Sequence, residues 1–275
     1  MSSGSGPVAR VTVRDFLVRK GAGERLVMVS AYDALFARLA DEGGVDAILV
    51  GDSLGNVIAG HESTIPVTLE QMIYHGAAVR RGTSRALVVV DLPFMTYHVS
   101  VEEALRNAGR VMQETLAQAV KLEGAGPRIL AATEAMVEAG IPVMGHIGFT
   151  PQSVHALGGF RVQGREPDAL TRLVDEARRL QDAGAFAIVL ELMPTPVAQA
   201  VTEAVQVPTI GIGAGAGCDG QVLVLMDLLG LNDRFKPKFL LKYAELAADV
   251  RGAVGRFVAD VREGKYPDEA HSFRA

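Results

Sequence analysis

Acidic residues close four short apolar runs in this chain. Asp52 ends 46–52 (DAILVGD), Asp91 ends 86–91 (ALVVVD), Glu123 ends 119–123 (AVKLE) and Glu191 ends 186–191 (FAIVLE). A fifth run, 141–146 (IPVMGH), ends on His146. Aliphatic runs of this length suit strands buried on both faces, so an ionisable group closing one sits where the strand meets solvent. Gathered on one rim, Asp52, Asp91 and Glu123 would raise one another's pKa unless something neutralised them. A divalent cation is the economical solution, and carboxylates without cysteine suit Mg²⁺, or Mn²⁺ in its place, better than zinc. For any one acid the competing explanation is a helix cap or an ion pair at the rim.

Lys121 stands two residues before Glu123, so on a strand both side chains share a face. An inward lysine among acids must pair with them or with an anionic substrate. Ser53 offers a hydroxyl beside Asp52, although serine is common in turns. His146 is open to three roles: base, ligand or orienting donor. Glu191 follows a strongly apolar run, where partial desolvation would raise its pKa and suit it to general base work near neutral pH. The turn 211–217 (GIGAGAG) reads as a tight backbone turn more readily than as a phosphate cradle.

The elements that would hold these residues alternate nearly to the end. Strand-like runs at 26–30, 46–52, 86–91, 119–123, 141–146, 186–191, 208–212 and 222–226 are separated by helical patterns at 32–42, 68–81, 100–116, 127–139, 166–183 and 195–205. A long amphipathic pattern at 239–263 follows. Eight strands alternating with helices predict an α/β fold, a single (β/α)₈ TIM barrel, which keeps its chemistry at the C-terminal ends of its strands. A doubly wound open sheet is the rival, and the strand count disfavours it. The long loops 53–67 and 147–165 are candidates for lids.

Composition sets further bounds. With 275 residues, 49% hydrophobic and 21% charged, the chain suits one large barrel, here expected over 11–275 behind a flexible segment at 1–10. A net charge of −5 without a basic stripe argues against nucleic acid. No run approaches a membrane span, and the polar amino terminus lacks the apolar core of a signal peptide. The single cysteine, Cys218, excludes an intramolecular disulfide framework and fits a reducing, cytoplasmic setting.

Several stretches together resemble the ketopantoate hydroxymethyltransferase family: VGDSLG (50–55), GHESTIPVT (60–68), DLPFM (91–95), VKLEG (120–124), GHIGFTPQS (145–153), VQGR (162–165), GIGAG (211–215) with CDGQ (218–221), and EAHSF (269–273). They fall in order and at compatible spacing. The resemblance implies a barrel that transfers a hydroxymethyl group from 5,10-methylenetetrahydrofolate to 3-methyl-2-oxobutanoate through an enolate stabilised by Mg²⁺, one ion per subunit. It implies metal binding through Asp52 and Asp91 with Glu123 supporting, oxo-acid binding by Asp52, Ser53, Asp91 and Lys121, Glu191 as the base, and a homo-oligomer, commonly a decamer. His146 receives a secondary role. One departure is that many relatives carry Lys-x-Glu-Gly-Gly where Ala125 follows Gly124 here. Two rivals are a Mg²⁺-dependent lyase or mutase of the phosphoenolpyruvate mutase and isocitrate lyase kind, and a catalytically silent barrel. Glu191 together with Lys121-x-Glu123 favours hydroxymethyl transfer over the first. A scaffold would have no reason to keep four acids at strand ends.

Overall fold

A computed structural model describes residues 9–274 of the chain. The expected flexible terminus falls mostly on residues 1–8, outside those described. The chain divides into two compact units, Met1–Val224 and Leu225–Ala275.

The first unit opens with α1 (Val13–Ala22), an element beyond those read from the sequence pattern. The Asp15 carboxylate accepts from the Thr12 backbone N–H at 2.7 Å and fixes the start of this helix. Strands and helices then alternate: β1 (Leu26–Ser30), α2 (Ala34–Glu42), β2 (Ala47–Val50), a short α3 (Leu54–Val57), α4 (Leu69–Gly82), β3 (Leu87–Asp91) and α5 (Val101–Thr115). They continue through β4 (Ala119–Lys121), α6 (Pro127–Glu138), β5 (Val143–Gly148), α7 (Ala169–Asp182), β6 (Ala187–Glu191), α8 (Thr195–Ala204), β7 (Thr209–Ile212) and β8 (Gly220–Val224). Every neighbouring pair of strands is parallel, and β8 pairs with β1 to close the barrel, as the strand count predicts.

Two-residue periodicity decides what fills the barrel. Leu87 and Val89 of β3, Ala119 of β4, Met144 of β5, and Ala187 and Val189 of β6 belong to one buried cluster inside it. Continuing each alternation by two residues reaches Asp91, Lys121, His146 and Glu191. The same periodicity that packs the interior therefore stacks four ionisable side chains above it, at the C-terminal mouth. On β2 the inward residues Ala47 and Leu49 lead to Gly51, which has no side chain. A Cβ there would lie 2.9 Å from Ser53 Oγ and 3.4 Å from Asp91 Oδ2. At the opposite end Phe16 of α1 packs edge-on against Phe186, with ring centroids 5.6 Å apart. Burying a ring of this kind contributes about 1.5–3 kcal/mol.

Acids at that N-terminal end serve the scaffold. Asp46 pairs with Arg19 at 2.7 Å and accepts from the Val27 N–H at 2.9 Å. Asp219 receives the Lys20 ammonium at 2.9 Å and the Thr209 N–H at 2.8 Å. This split between a structural end and a charged mouth is the barrel's usual polarity.

Some boundaries differ from expectation. β4 stops at Lys121, and Glu123 lies beyond it, but the amides of Leu122 and Gly124 still bond Met144 and His146 carbonyls at 3.2 and 2.8 Å. The eighth strand starts at Gly220, in register with Leu26, and is followed by a short helix where strand was expected.

The second unit holds that helix, α9 (Leu225–Leu228), and α10 (Leu246–Arg262). The long closing helix expected over 239–263 begins seven residues late. The Tyr243 amide donates to the Leu228 carbonyl at 2.9 Å and so is not available for a helical ladder. The Leu246 amide, in the first turn of α10, donates to the Leu229 carbonyl at 3.0 Å. Among the described residues no helix is long and apolar enough to cross a membrane.

Candidate active site

Asp91 and Lys121 are direct register partners on β3 and β4, and the Lys121 ammonium lies 2.8 Å from Asp91 Oδ1. The same ammonium is 3.2 Å from His146 Nδ1 and 3.9 Å from Glu123 Oε1. His146 Nε2 in turn lies 3.3 Å from Glu191 Oε2, without the alignment of a hydrogen bond. Lysine can only donate, so Nδ1 accepts, and the neutral imidazole carries its proton on Nε2, facing Glu191. A continuous polar path thus crosses the mouth from Asp91 through Lys121 and His146 to Glu191.

Asp52 and Ser53 sit just past β2, in the turn that opens α3. The Asp52 N–H donates to Asp91 Oδ2 at 3.1 Å. Ser53 Oγ is 2.8 Å from the Tyr32 hydroxyl. All the residues nominated from sequence therefore lie at one end of the barrel. Among the described residues, however, no three His, Cys, Asp or Glu side chains converge as a ready-made metal cage. Protein donors engage the carboxylates instead, with Lys121 at Asp91 and Gln152 at Asp52 and Glu123.

Gln152 and Tyr97 are the residues the sequence reading missed. From a 3₁₀ turn (Pro151–Ser153) after β5, Gln152 donates through Nε2 to Asp52 Oδ2 at 2.9 Å and through its backbone N–H to Glu123 Oε2 at 3.0 Å. The Tyr97 hydroxyl donates to Gln152 Oε1 at 2.6 Å and accepts from the Glu123 N–H at 3.1 Å. Both residues stand in or beside quoted motifs, GHIGFTPQS and DLPFM. Nothing in their types or spacing signals the site, because each acts by bracing another residue.

Burial governs the electrostatics. It raises the Asp52 carboxyl to about 7, with Asp91 adding to the rise and Lys121 opposing it. Glu123 is held well above the ordinary carboxylate range by burial, against the pull of Lys121. Burial would lower the Lys121 ammonium, but the charges of Asp91, Glu123 and Asp52 outweigh it and raise its pKa. His146 is pushed well below its usual value by burial and by Lys121, which agrees with a neutral ring. Glu191 is raised by burial to about 8, with Lys121 pulling the other way. Its side chain keeps 18% exposure against 3% for Asp91 and Glu123, so it is the acid most open to an incoming molecule.

Backbone geometry fixes Glu191. Gly148 has φ +94°, and a Cβ on it would collide with the Glu191 carbonyl oxygen, which accepts from the Phe149 N–H at 2.9 Å. Leu192, the next residue, has φ +46°, a strained value for a side chain of this kind. The glycine-rich turn after β7 is a tight turn in which Gly213 and Gly215 take φ +63° and +80°. Cys218 is buried against Gly211.

Residues 10–269 match the family model described as ketopantoate hydroxymethyltransferase. The chain is 54% identical over 254 residues to the 3-methyl-2-oxobutanoate hydroxymethyltransferase of Syntrophus aciditrophicus (strain SB), covering 92% of this chain and 93% of the relative. It is also 54% identical over 264 residues to the protein of that name from Pelobacter propionicus, covering 96% and 97%. Among solved structures it resembles 2,3-dimethylmalate lyase, a member of the PEP mutase/isocitrate lyase superfamily (TM-score 0.59, 16% identity, 95% of this chain and 91% of the other). It also resembles phosphonopyruvate hydrolase in complex with oxalate and Mg²⁺ (TM-score 0.59, 15% identity, 96% and 92%). At such low identity these two likenesses speak for the barrel alone.

Proposed function

The chain belongs to the ketopantoate hydroxymethyltransferase family, and from that premise we infer how its barrel mouth acts. The enzyme transfers a hydroxymethyl group to 3-methyl-2-oxobutanoate, giving 2-dehydropantoate for pantothenate synthesis. The one-carbon donor in this reading is 5,10-methylenetetrahydrofolate.

The observation that carries the account is a charge imbalance. Asp52, Asp91 and Glu123 are all buried at the mouth, and among the described residues the cation paired with them there is Lys121. The all-oxygen donor set, three buried carboxyls against one ammonium, fits a divalent ion such as Mg²⁺, which would favour their ionised forms. Held by Asp52 and Asp91, with Glu123 in support, that ion would supply a Lewis acid for negative charge developing on the substrate's keto oxygen.

The remaining steps fall to the protein's own groups. Lys121 meets the substrate carboxylate, and Ser53, steadied by Tyr32, donates to the oxo acid. Glu191 takes the proton from C3, which is weakly acidic because it lies next to the keto group. Its raised pKa makes it a strong enough base, and its exposure lets the substrate reach it. The Nε2 proton of His146 faces Glu191 and orients the carboxylate. One water supplies the hydroxyl oxygen: it hydrates the methylene unit to the formaldehyde level, the enolate carbon attacks that carbon, and tetrahydrofolate leaves. The loops at 53–67 and 147–165 shield the enolate from protonation by bulk water.

The proposal extends to a cytoplasmic homo-oligomer, a decamer by family resemblance. Support comes from exposed Val250, Val254, Phe257 and Val261, spaced along one face of α10. The test of the reaction is formation of 2-dehydropantoate from 3-methyl-2-oxobutanoate, methylenetetrahydrofolate and Mg²⁺. Absence of product with folded protein would overturn it.

A further inference from the structure

Gln152 occupies one oxygen on each of two carboxylates that come from different strands. Its amide orientation is unambiguous, because the Leu92 carbonyl can only accept and lies 3.0 Å from Nε2. The second Nε2 hydrogen is therefore free for Asp52 Oδ2 at 2.9 Å. Oε1 takes the Tyr97 hydroxyl proton at 2.6 Å, and the Tyr97 oxygen accepts the Glu123 N–H at 3.1 Å. The Gln152 backbone N–H closes the brace on Glu123 Oε2 at 3.0 Å. Every polar group of the residue's amide side chain is used, and Gln152 and Tyr97 are both buried.

We propose that Gln152, oriented by Tyr97, is a positioning residue that selects Mg²⁺ over Ca²⁺ by holding one oxygen of Asp52 and one of Glu123. The inference rests on the metal site read above. A carboxylate with one oxygen held by a buried N–H offers a cation the other. Two-oxygen coordination would have to share the held oxygen and swing the carboxylate toward the ion, straining a hydrogen bond from a buried donor. Mg²⁺ accepts few direct carboxylates and keeps its waters in a strict octahedron, whereas Ca²⁺ takes more oxygens and readily uses both from one carboxylate. The brace therefore opposes Ca²⁺ more than Mg²⁺. A neutral amide does this without adding a charge. A lysine in its place would compete with the ion, and a glutamate would add a further acid.

The test measures Mg²⁺ and Ca²⁺ dissociation constants by calorimetry on the full chain, for the wild type, Gln152→Leu and Tyr97→Phe, with thermal melts to confirm folding. Gln152→Leu is expected to lower the ratio of Kd(Ca²⁺) to Kd(Mg²⁺) by about tenfold. Tyr97→Phe, which loses one oxygen atom, shifts it the same way by less. An unchanged ratio, or equal weakening of both ions, would overturn the proposal and leave Gln152 a structural brace. Should Gln152→Leu not fold, the direction of the Tyr97→Phe shift decides. Failure of the wild type to bind either ion would instead overturn the metal site itself.

Discussion

The Lys121 ammonium lies 2.8 Å from Asp91 Oδ1, and both side chains are almost wholly buried. The two residues face each other across β3 and β4, so the pair is built by strand register. In the proposed reaction this ammonium, already inside a nest of carboxylates, would receive the substrate carboxylate once a divalent cation took up the protein's acids.

Lys121→Met should therefore raise KM for the oxo acid and destabilise the ligand-free protein. Removing one partner of a buried pair costs on the order of 3–5 kcal/mol. Adding Asp91→Asn should recover part of that loss, because the orphaned charge is gone. Denaturant unfolding of both single variants and the double variant measures the coupling. Strictly additive losses would show that the pair does not act as one.

As the proposed base, Glu191 should set the pH dependence. Its carboxyl is raised to about 8, so it is mostly protonated at lower pH and cannot accept the C3 proton there. The rate constant kcat/KM should climb by about tenfold per pH unit below that value and level off above it. A profile already flat from about pH 6 upward would contradict the assignment.

His146 is expected to act on kcat more than on KM. His146 Nε2 stands 3.3 Å from Glu191 Oε2. A hydrogen bond that tightens there with substrate bound would be worth about 1.5–3 kcal/mol, or roughly ten- to a hundredfold in rate. His146→Ala should show such a fall, and His146→Gln, which restores an N–H donor, should recover part of it. Equal effects of the two substitutions on kcat would leave the Nε2 proton without a role.

Gly148→Ala tests the backbone contact. The added methyl meets the Glu191 carbonyl oxygen and also burdens a residue at φ +94°. Displacing the base by about 1 Å can cost on the order of a hundredfold in rate. Steady-state kinetics beside a melting curve separate this loss from simple unfolding.

The barrel and its mouth were legible because one rule served both. A buried parallel strand needs a continuous apolar run, and the acid closing the run marks its solvent end. Asp91, Lys121, His146 and Glu191 follow from that pattern with two-residue alternation. Glu123 follows Lys121 by the same alternation, since strand-like hydrogen bonds run on past the end of β4, whereas Asp52 sits in the turn that opens α3. Gln152 and Tyr97 were not legible, because their roles arise from hydrogen bonds across distant segments that leave no periodic trace. Tyr243, inside the expected closing helix, gives its amide to the Leu228 carbonyl of α9, an interaction that helical apolar spacing cannot reveal.

The central claim is that Glu191 removes the C3 proton. Proton NMR of 3-methyl-2-oxobutanoate in D₂O with Mg²⁺, without the folate donor, follows that step alone. The account predicts C3 deuterium incorporation with the wild type and none above background with Glu191→Gln, although both bind the oxo acid. Exchange by Glu191→Gln at the wild-type rate would contradict it.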